Sequence, residues 1–290
     1  MKPRERNSKS FCSIRRRCGV LFLLPSLLGV MIFVLIPFMD VVRRSFTSAL
    51  GGNFVGLQNY RTVFGNKAFL LAAGNTAKFL AVCMPLLLGL SLLVALILYG
   101  APEKAGPFKT AFLIPMAVPV ASVALLWQVL FDRHGLLNGW IVSLGGLPAD
   151  WMQDMRAFWV LVGSYIWKNL GYDVVLWMAG LAGINPSLFE AARVDGAGSF
   201  TVFWRITLPN LLPSLYTILV LSLLNAFKVF REAYLVAGDY PADTIYLLQH
   251  LFNNWFRELS MDKLAAAAVL VAAAVLILIL LLQRAWEEDA

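Results

Sequence analysis

Apolar residues along this chain fall in long blocks rather than at the two-residue spacing of a half-buried strand or the three-to-four spacing of a surface helix. A membrane-spanning helix needs roughly 20 consecutive, mostly apolar residues. Six blocks reach or approach that length: Gly19–Val42, Phe69–Tyr99, Phe108–Phe131, Ala157–Leu181, Leu211–Val236 and Leu264–Leu282. The pattern predicts an all-α integral membrane protein with six transmembrane helices. The first block, behind its basic flank, has the outline of a secretory signal. A signal core runs about 7–15 residues and ends at a small-residue cleavage site, whereas this block is longer and lacks a convincing site, so it is expected to remain as the first span.

The segments between the blocks differ in character. Arg43 to Lys67, with Gly51, Gly52 and the run Phe54-Val55-Gly56-Leu57-Gln58-Asn59-Tyr60, reads as a solvent-facing loop holding short helical pieces. Gly100 to Lys104 is a turn, and Asp132 to Arg156, with Gly145, Gly146 and Pro148, is a second exposed segment. Pro115 and Pro119 lie inside the third block and predict a kink there. The segment 182–210 is built as two short helices. Asn185 is a good N-cap and Pro186 suits the first helical position, which predicts a helix to about Asp195, ended by Gly196-Ala197-Gly198. Ser199 then caps a second piece through Leu208, stopped by Pro209. In that piece Phe200, Phe203, Trp204, Thr207 and Leu208 share one face, giving an amphipathic helix.

Composition narrows the chemistry. Hydrophobic residues make up 60% of the chain and charged residues 14%, which does not fit a water-soluble domain. The net charge of +7 is concentrated in a tail at 1–18 that carries Lys2, Arg4, Arg6, Lys9, Arg15, Arg16 and Arg17. The tail suits a cytoplasmic anchor beside a membrane helix. It does not form a basic face with interleaved aromatics, so nucleic acid is not an expected partner. Orientation by charge rests on this tail alone, because without it Lys and Arg are more numerous on the opposite side. Cys12, Cys18 and Cys83 make neither a disulfide framework nor a metal site, and His134 and His250 read as loop or interface residues. No metal, cofactor or catalytic residue is expected, and a membrane enzyme would need a reactive cluster that is missing from this sequence.

The run Glu190-Ala191-Ala192-Arg193-Val194-Asp195-Gly196-Ala197, followed at fixed distance by Ile206-Thr207-Leu208-Pro209, resembles the EAA loop of ABC importer permeases. The resemblance covers nearly the whole chain, including the Phe54–Tyr60 segment, which is similar to the family's F-x-G-L-x-N-Y, and looks most like the MalF-type sugar permease branch. The chain departs from it after the fifth span, where Gly238-Asp239-Tyr240-Pro241-Ala242-Asp243-Thr244 stands in place of a glycine-rich G-G-P-x-x-x-T. The resemblance implies an ABC importer type I permease fold, with the tail at 1–18 followed by one permease domain over 19–290, multi-pass in the bacterial cell membrane with its N-terminus in the cytoplasm. It also implies ATPase-coupling contacts at Glu190, Ala191, Ala192, Asp195, Gly196 and Ala197. The implied partners are a second permease subunit, expected to differ from this one, two cytoplasmic ATPase subunits and an extracellular solute-binding protein. The chain carries no G-x-x-x-x-G-K-[ST], so ATP hydrolysis is expected from the separate subunits and not from this one.

Polar groups inside apolar helices mark a pathway or an internal pair. Ser164, Lys168 and Tyr172 form a stripe on the fourth helix, and the fifth offers Ser222, Asn225 and Lys228. Counting from opposite helix ends at about 1.5 Å per residue puts Lys168 and Lys228 at similar depth, as a solute site between helices requires. Asn225 and Tyr172 would take sugar hydroxyls, with Trp167 or Trp177 as apolar faces, and the two lysines would also suit an anionic solute. The alternative pairs Lys168 with Asp173 and Lys228 with Glu232 as structural glue, and makes Arg231 an interfacial anchor. A second function class, an ion-coupled secondary transporter, would use Lys168, Asp173 and Glu232 as a proton relay.

Overall fold

A computed structural model describes residues 23–49, 52–153 and 155–289; the basic tail and the start of the first apolar block lie outside them. The described residues are helical apart from turns and one isolated antiparallel bridge, Thr47 to Phe54. Among them, four helices are long and apolar enough to cross a bilayer: Leu23–Ser45 (α1), Lys67–Tyr99 (α3), Ser199–Ala237 (α9) and a span over Met261–Arg284. Two bent pairs, Gly106–Ala117 with Val120–Ser143 and Met155–Ala182 with Pro186–Val194, bring the number to six when each is one crossing. Leucines, Phe33 and Met39 on the spans stand open to the surroundings, a surface suited to lipid rather than water.

The described residues divide into two compact units, one running up to residue 65 together with 258–274, the other 66–257 with the residues from 275 onward. In the first, the loop after α1 is held by the short helix α2, Gln58–Phe64. The Asn59 amide donates to the carbonyls of Ser45 and Thr47 at 3.0 and 2.9 Å. The Tyr60 hydroxyl meets Ser45 Oγ at 2.7 Å, and Phe46 packs on both Phe54 and Tyr60. Gly56 turns the chain at φ 58°, a left-handed conformation that a side chain resists. The Phe54–Tyr60 motif is therefore a local latch, and the expected loop with helical pieces is what forms.

In the second unit, α3 starts where Asn66 accepts a hydrogen bond from the Phe69 amide at 3.1 Å. It packs along α7, Met155–Ala182. One core joins Phe79, Cys83 and Leu87 of α3 to Phe158, Leu161 and Tyr165 of α7 and to Ala226 and Val229 of α9. A second joins Leu98, Trp177, Leu181, Leu211 and Ile218. A Cβ built on Gly171 would lie 1.9 Å from the Phe112 carbonyl oxygen, so α7 touches its neighbour backbone to backbone at a place only glycine allows.

Five expectations need correction. The third block is two helices, α4 (Pro102–Ala117) and α5 (Val120–Phe131), and not one kinked rod. Val118 is extended at ψ 127°, as a residue before proline tends to be, and Gly106–Ala117 lies at 90° to Val120–Ser143 taken as one piece. The segment from Asp132 holds a further helix, α6 (Leu136–Ser143), pinned by Asn138, whose side chain bonds the backbone of Asp132, Arg133 and Ala149. Pro209 does not stop the second short helix. That helix runs on into the next span as one element, because a π turn at Phe203–Thr207 carries the Leu208 amide back to the Phe203 carbonyl just ahead of the proline. Gly198, and not Ser199, stands at its cap. Finally, α10 (Leu248–Arg257) precedes the last helix, α11 (Met261–Asp289). His250 is fully buried within α10 rather than sitting in a loop, with Nδ1 accepting from the Leu247 amide at 3.2 Å.

Candidate functional site

Two places in the second unit gather the residues singled out by the sequence. The first is the short helix α8, Pro186–Val194. Asn185 Oδ1 accepts from the Ser187 amide at 3.1 Å, supplying one of the donors' partners that a helix start lacks. At the other end the Ala197 amide donates to the Ala192 carbonyl at 2.9 Å and the Gly196 amide to Arg193 at 3.1 Å. With Gly196 at φ 68°, this is a complete Schellman closure. Both ends of α8 are thus fixed by local chemistry, and the helix stands off the bundle at 68° to α7. Glu190, Ala191, Asp195 and Gly196 are exposed and Ala197 is half-buried, but Ala192 is buried against the protein's own interior. The sequence reading missed Val194, the most exposed apolar side chain of the two short helices at 88%, and Leu188, also exposed.

The second place is a cavity of about 270 Å³ between α7 and α9, closed on one side by the break between α4 and α5. Ser164, Lys168, Asn225 and Lys228 all line it. Irregular backbone at Met116–Val120 forms part of its wall, as tolerated at membrane depth only where it faces protein or a cavity. Tyr172 and Ser222 do not line it. Ser222 is 1% exposed and donates to both carboxylate oxygens of fully buried Asp173 at 2.9 Å.

The charges pair differently from the sequence expectation. Lys168 Nζ lies 2.5 Å from Glu232 Oε1, joining α7 to α9 across the cavity wall. Lys228 instead donates to Asn225 Oδ1 at 2.7 Å. The four-residue spacing of Lys228 and Glu232 would place them on one face of a regular helix. A 3-10 turn at Phe227–Val229 intervenes, with 3.0 residues per turn instead of 3.6, and shifts Lys228 off that face. Arg231 and Asn169, not chosen from the sequence, also line the cavity, so Arg231 is part of this wall. Ser164 is shared with a neighbouring cavity of about 650 Å³ whose walls include Trp127, Trp151, Trp159 and Trp167.

Residues 88–287 match the protein family described as "Binding-protein-dependent transport system inner membrane component". The trehalose/maltose transport system permease protein MalF of Thermococcus litoralis is 34% identical over 249 residues, 83% of each chain. The sn-glycerol-3-phosphate transport system permease protein UgpA of Agrobacterium fabrum is 31% identical over 220 residues, 75% of each. Among solved structures, a chain of a bacterial ABC transporter involved in the import of the acidic polysaccharide alginate superposes with TM-score 0.83 at 21% identity, covering 97% of this chain and 99% of that one. That likeness shows a common fold.

Proposed function

The chain belongs to the binding-protein-dependent transport system inner membrane components, as a multi-pass permease subunit of an ABC importer, and from that premise we propose how its parts work. Helix α8 faces the cytoplasm and docks on an ATPase subunit, with Glu190, Ala191, Val194, Asp195 and Gly196 as the contact face and Ala192 as the root that fixes the helix to the bundle. The cavity between α7 and α9 is part of the solute path. The solute is a sugar or related compound, in keeping with the trehalose/maltose permease among the relatives. Closure of two ATPase subunits on ATP moves α8 and a corresponding helix of a second permease subunit, opening the path toward a solute-binding protein; ATP drives this only through its different affinity for the two states. The tail at 1–18 lies on the cytoplasmic side with α8. Family membership favours this ATP-driven reading over the ion-coupled one.

The observation that carries the coupling assignment is the double closure of α8, Asn185 at one end and the Gly196 Schellman pair at the other. A nine-residue helix is too short to persist in water by itself, so fixing both ends gives a rigid peg that can transmit force. A single-cysteine variant, Val194→Cys, tests the placement. A membrane-impermeant maleimide should label it in inside-out vesicles and not in intact cells, and a cross-linker should join it to the ATPase. Glu190→Lys should abolish uptake while the complex still assembles. Labelling from the outside, or uptake unchanged by Glu190→Lys, would overturn the assignment.

A further inference from the structure

The wall of the small cavity carries an imbalance of charge. Lys168, Lys228 and Arg231 line it against a single carboxylate, Glu232. Lys168 is matched by Glu232 at 2.5 Å. Lys228 touches only the neutral Asn225 amide, and among the described residues neither Lys228 nor Arg231 has an acidic partner within 4.0 Å. These two side chains lie three residues apart on α9, on the same stretch of wall. Both side chains are exposed, so each is free to meet an entering solute, and an arginine beside a lysine offers the forked and point donors that an acid group accepts.

A second observation is independent of this. Glu232 is 8% exposed, and its other oxygen, Oε2, has no hydrogen-bond partner. A buried carboxylate oxygen left without a donor costs on the order of 1–3 kcal/mol or more. With Oε1 occupied by the Lys168 ammonium and Oε2 enclosed by protein, the one carboxylate of the wall is turned inward and leaves Lys228 and Arg231 unmatched. Ser164 Oγ and the Asn225 amide, on the same wall, are of the kind that complete hydroxyl recognition. The space, about 270 Å³, sits at the low end of ligand pockets, which begin near roughly 300 Å³, and so suits one ring-sized unit.

Resting on the reading of this cavity as part of the solute path, we propose that the solute unit it receives is an acidic sugar. Its carboxylate, phosphate or sulfonate lies on Lys228 and Arg231, and its hydroxyls lie on Asn225 and Ser164.

The test uses the whole importer, this chain with its own partner subunits and binding protein, in phosphatidylcholine liposomes so that no lipid headgroup supplies net negative charge. Radiolabelled galacturonate, glucose 6-phosphate and 6-sulfoglucose are compared with galactose and glucose. At least one acid should enter ten-fold or more faster than its neutral parent. Lys228→Gln with Arg231→Gln should bring that ratio below about two, while Lys228→Arg with Arg231→Lys, which keeps both charges, should retain it; co-purification with the partner subunits checks assembly of each variant. Import of no acid, a neutral parent imported as well as its acid, or a ratio untouched by the glutamines would each overturn the assignment. Ser164→Trp, which fills the cavity, separates the two levels. If it leaves all uptake intact, the cavity is not on the path; if it blocks uptake while the charge variants change nothing, only the acidic assignment fails.

Discussion

Replacing Lys168 by methionine isolates the energetics of the ion pair between α7 and α9. The two side chains are 16% and 11% exposed and 2.5 Å apart, so little water is available to replace either partner. Breaking a buried pair from one side costs about 3–5 kcal/mol, because the remaining charge is left uncompensated. The residual exposure places this case near the lower figure, about 3 kcal/mol, or more than a hundred-fold in the folded-to-unfolded ratio. The second oxygen of Glu232 has no partner either, and Lys228 and Arg231, which line the same cavity, would have to move to replace the lysine. Glu232→Leu should cost less, about 1–2 kcal/mol, since a lysine stem can carry its ammonium toward water. The double variant Lys168→Met with Glu232→Leu should return to within about 1 kcal/mol of the parent, as buried pairs replaced by apolar residues often do. Reversible unfolding in mixed detergent micelles, followed by tryptophan fluorescence, measures all four proteins. A Lys168→Met variant as stable as the parent, or a double variant no better than that single one, would refute the reasoning.

Three further outcomes follow from other contacts. Gly171→Ala puts a Cβ within 1.9 Å of the Phe112 carbonyl oxygen and should cost about 2 kcal/mol or more through displaced backbone; Gly163→Ala, with nothing within 4 Å, should be neutral or slightly stabilising in the same unfolding assay. Asn59→Ala removes the donor from two carbonyls and should loosen the loop 46–57 by about 2 kcal/mol, read as faster amide exchange there with α3 unaffected. Burial holds His250 well below its ordinary 6.5, at about 4, against the opposing pull of Asp239. The unfolded segment therefore binds the proton first as pH falls. Stability of α10 is complete above about pH 6.5 and declines toward pH 4 by up to about 3 kcal/mol. Exchange protection of α10 should drop between pH 7 and pH 5, and His250→Phe should remove that dependence.

The spans were legible because length and apolarity alone mark a bilayer helix, and both ends of α8 were legible because Asn185, Pro186 and Gly196 each answer a local backbone need. The sequence showed Pro119 but could not separate a kink from a break, since both begin with the same missing amide; the outcome depends on whether the rest of the bundle holds Val118 extended. Pro209 misled for the complementary reason, as a π turn upstream let the helix absorb it. Helix α10 carried a usable signal, Leu248, Leu251 and Trp255 on one face, but its polar Asn253 and Asn254 set it outside the search for apolar blocks. At the cavity, residue types and depth brought together Ser164 and Lys168 of α7 with Asn225 and Lys228 of α9, while Tyr172 and Ser222, chosen on the same grounds, do not line it. Which charge meets which could not be read, because Lys168 and Glu232 are 64 residues apart and a three-residue change of helical pitch decides where Lys228 points.

The continuity of α9 from Ser199 to Ala237 gives the molecule a lever. From Phe200, beside the peg, to Glu232, at the cavity, is about 50 Å of hydrogen-bonded rod at 1.5 Å per residue. Swinging one end through about 5° carries the other roughly 4 Å if the rod stays stiff over that length. A small tilt imposed far away is then enough to pull Glu232 off Lys168 and uncouple the clasp that joins the two walls.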